Sequence, residues 1–326
     1  FSFPTGVCMQ IFVTGATGFA GSHLVDQLLA QGHSVTALLH PATSHQELPD
    51  HPAMSGIEGD LLDPHSLQTA VASVQPDVIY HLAGQAYPAR SWNNPALTIA
   101  INTGGTANLL DAAVAIGRPK VVIVTSAEIY GYVSQSDLPL TEASIPQPRH
   151  PYGVSKWAAA MLTAVYWQRY GLPVVEARPF NHIGPRQALG FVVPDFASQL
   201  AAIKLGQKPA QLSVGNLDAQ RDFTDVRDIA RAYIALAERG QPGEGYIICS
   251  GQPVSIHYLL NVLIDAAGVS VDIAYDPARM RPSDTPCLYG SYAKIQQDTG
   301  WQPEIHLRQA LGDALDDWLN RLQSSV

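Results

Sequence analysis

The strand-like run QIFVT breaks into GATGFAG and then into the helix-like SHLVDQLLAQ, so Gly15, Gly18 and Gly21 fall at Gly-x-x-Gly-x-x-Gly spacing. Nothing else in the chain constrains its fold as strongly. Glycine permits a tight turn and a close backbone approach, and the helix behind it presents unpaired N–H groups to a pyrophosphate. The spacing is one residue wider at its first step than the usual dinucleotide fingerprint. Its place behind the first strand favours dinucleotide binding over an ordinary strand-to-helix turn.

The same alternation continues to about residue 180. Short β-branched runs (SVTALL, DVIYHLAG, KVVIVTS, PVVEARPF) are separated by amphipathic stretches such as SLQTAVASV and TANLLDAAVAIG. This is the βαβ rhythm of a parallel sheet covered on both faces. Gly32, Gly117 and Gly171 stand where left-handed residues close helices. Beyond Phe180 the rhythm loosens into turns and isolated helices, with GNLDAQRD and DPARMRPSD reading as loops, but DVRDIARAYIALAERG and GEGYIICSG read as one more helix and strand of the sheet. The expected fold is α/β: a doubly wound parallel Rossmann sheet with a smaller mixed α/β C-terminal substrate domain. The expected boundaries are 9–180 with 222–250 returning for the dinucleotide-binding domain, and 181–221 with 251–326 for the other.

Composition excludes several classes. With 28 acidic against 19 basic residues and a net charge of −9, the chain of 326 residues has no basic footprint for nucleic acid. Cys8, Cys249 and Cys287 are widely spaced and form neither a Cys-x-x-Cys motif nor a metal-ligand grouping, which fits a reducing compartment. No apolar run approaches the ~18–20 residues that span a bilayer, and FSFPTGVC lacks the basic start of a secretory signal. A cytoplasmic protein is expected, with residues 1–8 a short arm ahead of the fold.

Cofactor preference is read at the second strand. An acid about 20 residues past the glycines normally holds a ribose without a 2′-phosphate. The run SVTALLHPATS has none before Glu47, which leans towards NADPH, with NADH as the alternative; His40 is a weak phosphate partner. Asp60, in GDLLD, is placed to accept from the adenine amino group, or else to cap the helix near Pro64.

HPYGVSKW puts Tyr152 and Lys156 one turn apart on a helix opening at Pro151. A lysine ammonium favours the phenolate and so is expected to lower the tyrosine pKa. Ser126 ends the strand VVIVT, at the edge where open α/β sheets place ligands. Asn102 is expected to hold a water that feeds protons to Lys156. Each residue alone has a bland reading; in this order behind a glycine loop they do not.

With these motifs in place, the chain resembles the extended short-chain dehydrogenase/reductase family, whose members act on nucleotide-sugars. The resemblance runs from Met9 to the C-terminus and rests on TGATGFAG, GDLLD, HLAG, TSAEIYG, PYGVSK and RDFTDVRD. It implies a catalytic set of Ser126, Tyr152 and Lys156, with Glu128 beside them. It implies cofactor contacts from Gly15, Thr17, Gly18, Phe19, Gly21, His40, Asp60, Leu61, Leu82, Ala83, Gly84, Asn102, Tyr152, Lys156, Pro179 and His182. No metal is implied, and a homodimer is.

Within the family, RPFNHIGPRQ, GFVVPDFA, VGNLDAQRDFTDVRD, CSG and RPSD resemble the reductases that convert the C4 ketone of GDP-4-keto-6-deoxy-D-mannose to GDP-D-rhamnose. That implies substrate contacts from Ser126, Glu128, Asn181, Arg221, Arg281 and Asp284, with Asn181 and Arg221 near the diphosphate and Arg281 with Asp284 on the ribose or guanine. Two positions depart from the reductase pattern: Arg186 in place of Gly, and Asp284 in place of Glu. Glu128 matches the base of the related GDP-mannose 4,6-dehydratases, which carry Thr where this chain has Ser126. Dehydration and 4-epimerisation therefore stand as enzymatic alternatives, and a catalytically idle NADPH or nucleotide-sugar sensor as the alternative of another class. A fucose-synthase reading needs a cysteine beside the serine, where this chain has Ala127.

Overall fold

The computed structural model describes residues 7–40, 48–279 and 285–324. The first part runs β1 (Gln10–Thr14), α1 (Phe19–Ala30), β2 (Ser34–Leu39), β3 (Met54–Glu58), α2 (Pro64–Val74), β4 (Val78–His81), the short α3 (Pro88–Ser91) and α4 (Pro95–Ile99), α5 (Gly105–Ala115), β5 (Lys120–Val124), α6 (Pro151–Tyr170) and β6 (Val174–Pro179). There follow β7 (Asn181–Ile183), α7 (Val192–Lys204), β8 (Gln211–Val214), β9 (Gln220–Asp225), α8 (Val226–Arg239), β10 (Gly245–Ile248), β11 (Pro253–Ser255), α9 (Ile256–Ala267), β12 (Asp272–Tyr275), β13 (Cys287–Leu288), α10 (Ala293–Thr299) and α11 (Leu307–Gln323).

Seven parallel strands in the order β10-β6-β5-β4-β1-β2-β3 make the central sheet, the doubly wound arrangement expected from the alternating runs. Side chains alternate across each strand. Ile11 and Val13 therefore enter one core with Leu24, Val25 and Leu28 of α1 and the apolar face of α8. Phe12 enters the opposite core with α2 and α5. β4 and β6 are buried along their whole length on both faces of the sheet. Helix ends follow local chemistry: Asp63 caps α2 by accepting from the N–H groups of His65 and Ser66, with Pro64 at the first position. Gly171 closes α6 at φ 64°, and Gly32 and Gly117 also take positive φ.

A separate core gathers α7, α9, α11, β8 and β9 around Phe196, Leu200, Leu212, Phe223, Leu259, Leu263, Leu311 and Leu315. β9 pairs with β7, β11 and β13, and β8 with β12. The loop expected over GNLDAQRD ends early, because Gln220 already pairs with Ser255 and Cys287 as the first residue of β9. Asp222 on β9 accepts from the N–H and hydroxyl of Ser250 and the N–H of Gly251, tying this strand to the exit of β10.

The loop between β1 and α1 folds back on itself so tightly that a Cβ on Gly21 would lie 2.0 Å from the carbonyl oxygen of Gly15. Gly21→Ala is therefore expected to lower stability by about 1–3 kcal/mol, the usual cost of overpacking. The urea midpoint measures this; an unchanged midpoint would contradict the turn.

Candidate active site

The order of the sheet reverses direction between β1 and β4, and two loops leave its carboxyl edge there. They touch: a Cβ on Gly15 would lie 2.7 Å from the Ala83 nitrogen. A directed chain of hydrogen bonds fixes the contact. The N–H of Ala83 donates to Thr14 Oγ1, and the Thr14 hydroxyl lies 2.7 Å from Nδ1 of His81. His81 Nε2 lies 3.0 Å from Thr106 Oγ1, whose hydroxyl donates to the Asn102 carbonyl. Because Thr14 and Thr106 each have one proton to give, His81 completes this chain as a neutral ring. Burial first, and then the charge of Lys156, push its pKa down to about 3.

Asn102 lies in a π-helical turn over residues 100–104. Its side chain bonds to protein groups. Oδ1 accepts from the Gln85 N–H, and Nδ2 donates to the Gln85 carbonyl and to Ser155 Oγ. Asn102 thus pins Leu82, Ala83 and Gly84 against α6.

These residues fit a dinucleotide. α1 begins at Gly18 with no side chain capping its N–H groups, leaving them for a pyrophosphate. Phe19 stacks on His182 at 5.6 Å with planes 9° apart, and His182 Nδ1 lies 3.0 Å from the Phe180 carbonyl oxygen. Thr17 is half-buried in the glycine loop, and Pro179 is buried at the end of β6. At the other end, His40 Nε2 stands 3.7 Å from Asp60, and Asp63, not Asp60, caps α2. Leu61 packs under Gly105 and accepts from Asn108 through its carbonyl. Among the described residues, no cluster of His, Cys, Asp and Glu is suited to a metal.

At the carboxyl end of β5, Ser126, Tyr152 and Lys156 converge. Tyr152 is 7% exposed and within hydrogen-bonding reach of Ser126. The expected lowering of its pKa by Lys156 is not what the geometry gives. Burial dominates and, with the charge of Glu128, outweighs Ser126, so the phenol is pushed up to about 12. Lys156 Nζ instead donates to the Val124 carbonyl at 2.8 Å and stands 6.0 Å from the centre of the Tyr152 ring. Burial lowers its own pKa to about 8, against the opposing charge of Glu176.

Glu176 belongs to a charged network beneath the site that the sequence did not suggest. On β6, Glu176 receives both Nε and a terminal nitrogen of Arg178 at 2.8 Å, and also the Thr125 hydroxyl. Arg178 also donates to Tyr130, whose hydroxyl donates to the Thr141 carbonyl. The backbone on either side of Ser126 is therefore held by a buried, paired ion network. The signal was a Glu and an Arg inside the otherwise apolar, fully buried run VVEARP.

On the open side, Glu128 accepts from Nε2 of His150 at 3.0 Å. Its charge also reaches Arg221 on β9, where burial lowers the guanidinium pKa and Glu128 supports it. Asn181 is exposed at the start of β7. Arg281 and Asp284 lie outside the described residues.

The sequence profile of a family described as GDP-mannose 4,6 dehydratase matches residues 12–314. The chain belongs to this family of extended short-chain dehydrogenases/reductases. It is 41% identical to a GDP-6-deoxy-D-mannose reductase of Pseudomonas aeruginosa, covering 96% of this chain and 98% of that protein. It is 28% identical to a GDP-mannose 4,6-dehydratase of Vibrio cholerae, covering 96% and 94%. Among solved structures, the Pseudomonas aeruginosa RMD complexed with NADPH superposes with a TM-score of 0.85 at 39% identity, covering 96% of this chain and 100% of that one. A UDP-glucose 4-epimerase from Thermotoga maritima with UDP-glucose gives 0.87 at 27% identity, covering 96% and 100%.

Arg186, the departure from the reductase pattern, takes φ 71°, a conformation that favours glycine. Its side chain pairs with Asp26 of α1, while its N–H donates to Asp317 of α11.

With Lys156 titrating near 8 and Tyr152 far above, hydride-transfer activity is expected to fall as pH rises through about 8, where the ammonium is lost. A pH–rate profile of kcat/KM checks this, and a profile that stays flat well past that point would contradict it.

Proposed function

We propose that the protein reduces the C4 ketone of GDP-4-keto-6-deoxy-D-mannose to GDP-D-rhamnose with NADPH. The observation that carries this reading is a buried Tyr152 that holds its proton, beside Ser126 and Lys156, in a chain 41% identical to a GDP-6-deoxy-D-mannose reductase. NADPH supplies the hydride when bound. Reduction also needs one proton, and a phenol kept protonated by burial is a ready donor to the alkoxide forming at C4. Ser126 hydrogen-bonds the same oxygen, and the buried Lys156 ammonium adds positive charge where negative charge develops. Gly15, Gly18 and Gly21 with the start of α1 hold the pyrophosphate, and Phe19 and His182 flank the nicotinamide side.

Residues 9–180 with 222–250 are proposed as the dinucleotide-binding unit, and 181–221 with 251–326 as the unit that holds the nucleotide-sugar. The separate core of α7, α9 and α11 supports this division except at residues 222–225, which belong to β9 and bring Phe223 into that core. Asn181 and Arg221 are assigned to the diphosphate, and Arg281 with Asp284 to the nucleoside. A homodimer is proposed through α4 and α6, because Val154, Met161 and Val165 stand 44–54% exposed along one face of α6, near the exposed Leu97 and Ile99 of α4. No described helix is long and apolar enough to cross a membrane.

Mixing the ketosugar with NADPH is expected to consume one NADPH per GDP-D-rhamnose formed, and Tyr152→Phe to abolish turnover while NADPH binding persists. A 4,6-dehydratase or 4-epimerase would show no net NADPH consumption. Met161→Glu is expected to convert the dimer to a monomer by light scattering; a mass that does not change with this substitution would reject the α6 interface.

A further inference from the structure

His150 is the residue that neither the motif nor the family resemblance assigned. It stands at the N-cap of α6, two residues before Tyr152, and its ring makes three contacts at once. Nδ1 accepts the N–H of Gly153 at 2.9 Å, in the manner of a capping oxygen. With Nδ1 committed as an acceptor, the proton of the neutral ring must lie on Nε2. Nε2 points at Glu128 Oε2, 3.0 Å away. The ring face stacks on Tyr152, with centroids 5.9 Å apart and planes 23° apart. Gly153 makes the arrangement compact, since a Cβ there would lie 2.8 Å from the Glu128 carbonyl and 3.3 Å from the His150 ring.

We propose that His150 is a positioning residue: the helix N–H fixes its tautomer, and that tautomer fixes the Glu128 carboxylate on the substrate side of Tyr152. One oxygen of Glu128 is then taken by His150, and Oε1 is left to accept a hydroxyl of the sugar beside the reacting carbon. This rests on the reading of Tyr152 as the proton donor to a nucleotide-sugar ketone, and it assigns Glu128 an orienting rather than a proton-abstracting part. The charged and titratable groups around the pair are consistent with a carboxylate held in place. The charge of Glu128 reaches Arg221 on β9 and Tyr152 on α6, Lys156 stands 6.0 Å from the centre of the Tyr152 ring, and Tyr233 of α8 lies within the electrostatic reach of Tyr152.

Two substitutions separate the cap from the contact with Glu128. His150→Asn keeps an acceptor for the Gly153 N–H and loses the donor to Glu128. His150→Gln keeps a donor at the distance of Nε2 and loses the cap. Positioning predicts that the Asn variant retains the wild-type melting temperature and NADPH affinity while kcat/KM for the ketosugar drops about tenfold, in line with loss of a hydrogen bond to a charged group. The Gln variant then melts lower but keeps most of its kcat/KM. Adding Glu128→Gln to the Asn variant lowers kcat/KM no further than Glu128→Gln alone. The opposite pattern, with the Asn variant as active as wild type or the two losses multiplying, overturns the inference. Glu128→Gln alone leaves the cap of α6 intact and is expected to lower kcat/KM about tenfold at an unchanged melting temperature, so the inference stays testable even if a His150 variant folds poorly, and an unchanged kcat/KM in Glu128→Gln overturns it. Failure of the wild-type protein to oxidise NADPH with the ketosugar would instead reject the reductase reading itself.

Discussion

Burial at the carboxyl edge of β5 is the constraint on which the site depends. It acts in opposite senses on the two groups that face each other there, raising the Tyr152 phenol and lowering the Lys156 amine, because a low-dielectric setting disfavours whichever form is charged. The result is a phenol that carries its proton and an ammonium close to losing its own. A site arranged in this way is prepared to give a proton, which is what hydride addition to a ketone requires.

The surrounding fold serves to keep that edge dry and fixed. The close approach of the β1 and β4 loops, the Thr14–His81–Thr106 chain and the Asn102 amide lock the floor of the cofactor cleft through neutral hydrogen bonds. Beneath Ser126, the Glu176–Arg178 pair is nearly fully buried and doubly bonded. Such a pair adds little net stability compared with apolar packing, but breaking it is costly, so it holds the local geometry to one arrangement. Arg186 pairs with Asp26 of α1 and donates its N–H to Asp317 of α11, while Arg227 of α8 pairs with the buried Asp225 and with Asp313 of α11.

Much of this was legible in the sequence because it rests on local rules. The glycine loop, the parallel strands, the caps at Gly32, Gly117 and Gly171, and the one-turn spacing of Tyr152 and Lys156 all follow from patterns within a few residues. What escaped depends on contacts between distant segments. His150 pairs with a carboxylate 22 residues away, and Asn102 bonds Ser155 across 53 residues. The effect of Lys156 on Tyr152 was misread for a related reason: spacing along a helix says that two side chains share a face, but burial, which the spacing does not report, sets the larger shift. The partner of Arg186 is an aspartate on α1 that only the folded chain brings near.

The central claim is that hydride passes from the cofactor to C4 of the sugar and stays there. The direct measurement is turnover of GDP-4-keto-6-deoxy-D-mannose with NADPH deuterated at the transferring position, followed by NMR of the product. One deuterium at C4 of GDP-D-rhamnose per cofactor consumed is the predicted result. A sugar without label and a cofactor that is not consumed would contradict it.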